Sequence, residues 1–257
     1  MAASPFVWYE LSTTDMAAAR GFYGAVLGWS TEDMSMPGMP YIVVKAADVP
    51  IGGIMNLLDH LKQAGVPPHW IGYMGCDDVD ATTKAMQADG ATIHLAPTDI
   101  PNVGRFAVMA DPAGAHFIIF KPLPGEGPVP TRYAPGTVGW HELYTSDIAG
   151  SLAFYGKYFG MTKLRTFDMG AMGPYEIFGV GDEQFGGMMG RPPQVPVSAW
   201  GFYFTVTDID AAIARVKTSG GTVLMGPMEV PGGQKTAQCL DPQGAAFALV
   251  TQPLPAA

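Results

Sequence analysis

Residues 6–13 read Phe-Val-Trp-Tyr-Glu-Leu-Ser-Thr, and this rough alternation of aromatic and β-branched residues with polar ones predicts a strand. Thr14 or Asp15 is placed to cap a helix that runs to about Leu27. The same pattern returns further along, where Ile148, Leu152, Tyr155 and Phe159 recur at helical spacing. Gly28 and Gly160 sit just beyond the two helix ends, where a left-handed residue belongs. Trp8-Tyr9-Glu10-Leu11 aligns with Trp140-His141-Glu142-Leu143, and Phe22-Tyr23-Gly24 with Phe154-Tyr155-Gly156. The chain is one unit written twice.

Both copies continue through methionine- and glycine-rich loops that end in Pro40-Tyr41 and Pro174-Tyr175 and lead into strands. Gly52-Gly53-Ile54-Met55 then matches Gly186-Gly187-Met188-Met189. Residues 56–69 form a connector with helical character at Leu57, Leu58 and Leu61; its counterpart in the second copy is shorter and rich in proline. Strands follow over 70–76 and 200–206, and acidic residues at Asp78 and Asp208 open helices that stop at Gly90 and Gly220. Each copy closes with a turn, Asp111-Pro112-Ala113-Gly114 or Asp241-Pro242-Gln243-Gly244, that feeds a last strand. The expected organisation is a first module over 1–122, a proline-rich linker over 123–135 and a second module over 136–257.

Composition narrows the partners. The 257 residues carry a net charge of −9, which repels phosphate backbones, so neither nucleic acid nor an anionic membrane is an expected partner. No uninterrupted apolar run approaches the roughly 20 residues of a membrane helix, and the N-terminus shows no basic region followed by an apolar one. Cys76 and Cys239 stand far apart and are expected to be buried free thiols, consistent with a cytoplasmic location. A monomer or a homodimer is expected.

The opening strand with Thr-x-Asp, the helix with Phe-Tyr and the closing Asp-Pro-x-Gly-x-x-Phe turn, all present in both copies, resemble the vicinal oxygen chelate superfamily. That superfamily includes glyoxalase I, extradiol dioxygenases and bleomycin-resistance proteins, and the bacterial two-module glyoxalase-like or hydroxylase-like branch is the nearest likeness. The resemblance implies an α+β fold of tandem βαβββ modules with a small-molecule cavity between modules. It also implies either a glyoxalase-like lyase, a hydroxylase- or dioxygenase-like oxidoreductase, or a non-catalytic protein that sequesters a hydrophobic or aromatic molecule. The ligand it implies is a small oxygenated or aldehyde-derived metabolite.

Metal-dependent members hold a divalent ion with His, Gln or Glu from the first, middle and last strands. Here the aligned positions are Tyr9 and His141, Ile71 and Gly201, Ile118 and Ala248. One histidine does not make that set, so no metal or other cofactor is expected, a divalent ion at His141 being the alternative. By alternation Tyr9, Leu11 and Thr13 share a face, as do His141, Leu143 and Thr145, and these are expected to face the cavity. His141 is then the candidate catalytic acid or base, with Tyr9, Tyr73, His116 and Tyr203 as ligand-binding candidates. Glu10 and Glu142, matched across the repeat, are expected to point away and to serve the architecture.

Overall fold

The structure, a computed structural model, describes residues 4–125, 130–193 and 195–253. Residues 126–129 of the linker therefore lie outside the described residues. The first repeat runs β1 (Phe6–Thr13), α1 (Met16–Leu27), β2 (Ser30–Asp33), β3 (Tyr41–Ala46), β4 (Val49–Asn56) and a short α2 (Asp59–Gln63). It continues with β5 (His69–Gly75), α3 (Val79–Ala88), β6 (Thr92–Ile100), β7 (Gly104–Ala110) and β8 (His116–Pro122). The second runs β9 (Val138–Thr145), α4 (Ile148–Phe159), β10 (Thr162–Asp168), β11 (Pro174–Val180) and β12 (Glu183–Gly190). It ends with β13 (Ala199–Val206), α5 (Ile209–Thr218), β14 (Thr222–Glu229), β15 (Lys235–Leu240) and β16 (Ala246–Thr251).

Each repeat builds one eight-stranded mixed sheet, ordered β2-β3-β4-β1-β5-β8-β7-β6 and β10-β11-β12-β9-β13-β16-β15-β14. The α+β expectation of two βαβββ units per copy holds. Helices start where the sequence places them: Asp15, Asp78, Asp147 and Asp208 each accept a backbone N–H from the first turn. Gly28 and Gly160 take the left-handed conformation that ends α1 and α4. The polar strand β2 and the strand β10 carry no apolar alternation that marks them in the sequence. They are edge strands with mostly solvated side chains, so their pairing partner, not their own pattern, defines them.

The densest contacts divide the chain into two compact units, and each draws on both repeats. One comprises Met1–Val7, Ile71–Gly127 and His141–Trp200; the other comprises Trp8–Trp70, Pro128–Trp140 and Gly201–Ala257. Each unit is held by the same buried device. In the first, Trp200 Nε1–H donates to the Tyr155 hydroxyl (2.9 Å), which donates to Asp111 (3.0 Å). In the second, Trp70 Nε1–H donates to Tyr23 (2.9 Å), which donates to Asp241 (3.1 Å). The other oxygen of each aspartate accepts backbone N–H groups of its own turn, from Ala113 and Ala115 or from Gln243 and Ala245. This explains the repeated Asp-Pro-x-Gly sequence: the aspartate folds the turn with one oxygen and anchors a helix tyrosine with the other.

Burial raises the pKa of both aspartates above the ordinary value, against the pull of their hydrogen bonds. A carboxyl whose pKa is raised by folding contributes stability that is full below its unfolded value and is lost as pH rises through the folded one. Wild-type stability relative to Asp111→Asn is therefore expected to grow as pH falls from 7 toward 4 in parallel urea titrations. A constant difference across that range would show that Asp111 does not titrate with folding. Cys239 is buried, and its thiol is pushed up to about 12 by desolvation, which leaves it inert at neutral pH. Cys76 is free and half-buried.

Candidate functional site

The register of β9, β11 and β12 assembles a polar cluster on one sheet face. β12 runs parallel to β9 with Gly187 opposite Glu142 and Met189 opposite Tyr144. β11 runs antiparallel to β12 with Ile177 opposite Gly187 and Tyr175 opposite Met189. Period two then puts Trp140, Glu142, Tyr144, Tyr175, Ile177, Gly187 and Met189 on the same side. Glu142 is 6% exposed. Its carboxylate accepts a hydrogen bond from Tyr175 (2.8 Å) and a very short one from Tyr144. Gly187 is what lets Tyr175 reach it, because any Cβ there would collide with the phenol ring.

The first repeat builds a simpler version. Glu10 lies opposite Gly53, and Tyr41 donates to Glu10 at 3.1 Å across that glycine. Trp8 Nε1–H donates to Tyr41 at 2.9 Å. Burial, and then the charge of Glu10, hold the Tyr41 phenol well above its ordinary pKa, so it remains a donor at physiological pH. Ser12 stands where the second repeat has Tyr144. Gly52 and Gly186, the first residues of the paired glycines, let β4 and β12 approach the carbonyls of Tyr9 and His141.

Of the residues singled out in the sequence, His141 faces away from this cluster. His141 is 3% exposed; its Nδ1–H donates to the Phe185 carbonyl (2.9 Å), and Phe6 stacks on its ring at 4.1 Å. Four residues on, on the same face of β9, Thr145 shares a hydrogen bond with Ser151 of α4, so this face is turned to the helix. His141 and Thr145 share this face, and Glu142 and Tyr144 lie on the other. Tyr9 meets Phe202 edge-on at 5.3 Å, and burial raises its phenol pKa. Tyr203, the next residue on β13, therefore points to the opposite face, where it packs with Ala248, Val250 and Trp140 and accepts a long bond from Gln238. Tyr73 is buried, with its ring edge-on to Phe120. His116 is exposed and lies against His94 with ring centroids 4.4 Å apart. Arg105 is bound by Asp80 and Asp99 at the surface.

Two tandem repeats of paired βαβββ units define a glyoxalase- and dioxygenase-type architecture. The chain belongs to the Glyoxalase/Bleomycin resistance protein/Dioxygenase superfamily, whose profile matches residues 6–119 and 137–249. It is 33% identical over 251 residues to "Putative glyoxylase CFP32" of Mycobacterium tuberculosis, covering 96% of this chain and 94% of that protein. It is 32% identical over 257 residues to "Anthracycline biosynthesis protein DnrV" of Streptomyces peucetius, covering 95% and 91%. The Mn(II)-bound glyoxalase from Novosphingobium aromaticivorans shares the fold, with a TM-score of 0.64 at 15% identity over 97% of this chain and 82% of that one.

The family often holds a divalent ion. Among the described residues no three His, Cys, Asp or Glu side chains gather. Glu142 is committed to two phenols, and the last-strand position, Ala248, sits in an apolar cluster. Among the described residues no helix is long and apolar enough to cross a membrane.

Proposed function

We propose that this chain is a glyoxalase-like protein that binds a small oxygenated metabolite, with Glu142, Tyr144 and Tyr175 as the polar anchor. The observation that carries the reading is the buried carboxylate of Glu142, held by two tyrosine hydroxyls on a sheet face. Both phenolic protons point at the carboxylate, so the cluster presents oxygen lone pairs and negative charge. Its complement is a neutral hydroxyl donor, whereas an anionic group is repelled. Ile177 and Met189 make the rest of the face apolar and adaptable. A hydroxylated aromatic molecule or the hydrate of an aldehyde satisfies both requirements. The names of the mycobacterial and streptomycete relatives point to oxygenated small molecules of these kinds.

In this reading His141 is a positioning residue. Its bond to Phe185 holds β12 in the register that sets Gly187 opposite Glu142. That Ile71, Gly201, Ile118 and Ala248 carry no metal-binding side chain favours, as a second reading, sequestration of the ligand without chemistry. The two readings part on whether the ligand is recovered unchanged.

Titration calorimetry with 2,3-dihydroxynaphthalene and its dimethyl ether tests the anchor. Losing a hydrogen bond to a charged acceptor costs about 1.5–3 kcal/mol, so the ether is expected to bind at least about tenfold more weakly. Equal affinities for the two compounds would refute a donor-reading anchor.

A further inference from the structure

The ladder between β2 and β3 does not stop at the strand ends. Asp33 lies opposite Ile42, and the Met34 N–H donates to the Tyr41 carbonyl at 3.0 Å. Met36 and Met39 then exchange both backbone hydrogen bonds, at 3.0 and 2.9 Å. The hairpin therefore keeps its register to the tip, where Pro37 and Gly38 turn the chain and Gly38 takes the left-handed region at φ 79°. Period two sets Met34 and Met36 on one face of the hairpin, and direct cross-strand pairing sets Met39 beside Met36 on that same face. The alternate positions agree: Asp33, Ser35, Pro40 and Ile42 line a groove against Arg20 of α1. Three thioethers thus share the face turned away from that groove.

A hairpin tip asks for a proline, a glycine and polar flanks. Met34 is 53% exposed, Met39 is 38% exposed and Met36 is half-buried, so the three side chains contribute little to the core. Hydrogen-bonded cross-strand neighbours stand about 5.5 Å apart at Cα, and a diagonal neighbour about 7–8 Å. The unbranched methionine side chain has three rotatable bonds, which lets three sulfur atoms close on one point from those separations. Thioether sulfur is a soft ligand that selects Cu(I) and gives little hold on Mg, Ca or Mn ions. The net charge of −9 favours the approach of a cation. The second repeat does not reproduce the arrangement. There the Met169 N–H donates to Gly173, and Gly170–Met172 form a 3-10 turn, so Met169 and Met172 do not alternate along a ladder.

We propose that Met34, Met36 and Met39 form a trithioether site for a soft monovalent cation, Cu(I), at the tip of the β2–β3 hairpin. Three neutral sulfurs and no carboxylate suit a monovalent soft ion. The site uses none of the residues around Glu142, so it stands or falls independently of the ligand anchor.

Ag(I), a redox-inert soft ion, is the first probe, added as silver nitrate in chloride-free buffer to the full chain labelled with carbon-13 at its methionine methyls. Cys76 is a free, half-buried thiol that would compete for the ion, so the titration is made in Cys76→Ser; Cys239 is fully buried. Met34→Leu, Met36→Leu and Met39→Leu assign the three signals among the sixteen methionines, and leucine keeps size and apolarity. One equivalent of Ag(I) is expected to shift those three signals, and Cu(I) added under argon as its acetonitrile complex should move the same three. Zinc nitrate should leave them in place. Native mass spectrometry should find one Ag(I) on the Cys76→Ser chain, one when Met169→Leu and Met172→Leu are added, and none when the three hairpin leucines are added. Three unmoved signals, equal shifts with zinc, or undiminished Ag(I) uptake without the hairpin methionines would overturn the site.

Discussion

Replacing Tyr155 with alanine is expected to lower the free energy of unfolding by about 3–5 kcal/mol, the cost of emptying a large aromatic site in a packed core. Tyr155 is fully buried, and its ring touches Phe117, Phe154 and Trp200. The substitution also strands two polar groups, the Asp111 carboxyl and the Trp200 N–H, which Tyr155 links. Leaving such groups unpaired costs about 1–3 kcal/mol each when water cannot reach them. Tyr155→Phe keeps the ring and loses only the hydroxyl, so it should cost about 1–3 kcal/mol. Urea denaturation followed by far-ultraviolet dichroism separates the two. Equal, small losses for both variants would show that the Trp–Tyr–Asp chain does not hold this unit together.

Gly187→Val is expected to disturb the site more than any other single change on the β12 strand. A side chain at 187 meets the Tyr175 ring directly, and the parallel pairing with Glu142 leaves the backbone no freedom to move away. Overpacking of this kind costs about 1–3 kcal/mol. The larger effect is on the cluster: Tyr175 must swing out, Glu142 loses a donor, and binding of 2,3-dihydroxynaphthalene should fall at least about tenfold. Gly190→Ala on the same strand is the control, because a Cβ there meets nothing. Wild-type affinity in Gly187→Val would mean that the Tyr175–Glu142 contact plays no part in binding.

Much of the fold can be read from the sequence because repeated local signals point one way. Aspartate caps, left-handed glycines and Asp-Pro-x-Gly turns each have a local physical cause, and they recur in both copies. The site is harder to read for a geometric reason. Alternation along β9 sorts residues into two faces but does not say which one a helix will cover. Leu143 and Thr145 look as pocket-like as Glu142 and Tyr144 until α4 is placed and Ser151 meets Thr145. The partners of Glu142 are hidden too. Tyr175 lies on another strand, and only the register of β11 and β12 brings it across Gly187. The signal was nonetheless present: Glu, the Pro-Tyr at a loop end and the second glycine of a Gly-Gly pair are matched in both repeats. Those three positions, taken together, mark a carboxylate, its donor and the space the donor needs.

The most direct measurement of the central claim is the affinity of 2,3-dihydroxynaphthalene for Glu142→Gln, with native secondary structure checked by circular dichroism. Glutamine keeps the size of the side chain but replaces one acceptor oxygen with a donor, which sets it against the hydroxyl of Tyr144 or Tyr175. The anchor predicts a folded protein in which the site at residue 142 binds at least about tenfold more weakly. A folded Glu142→Gln protein with undiminished affinity at every site would contradict it.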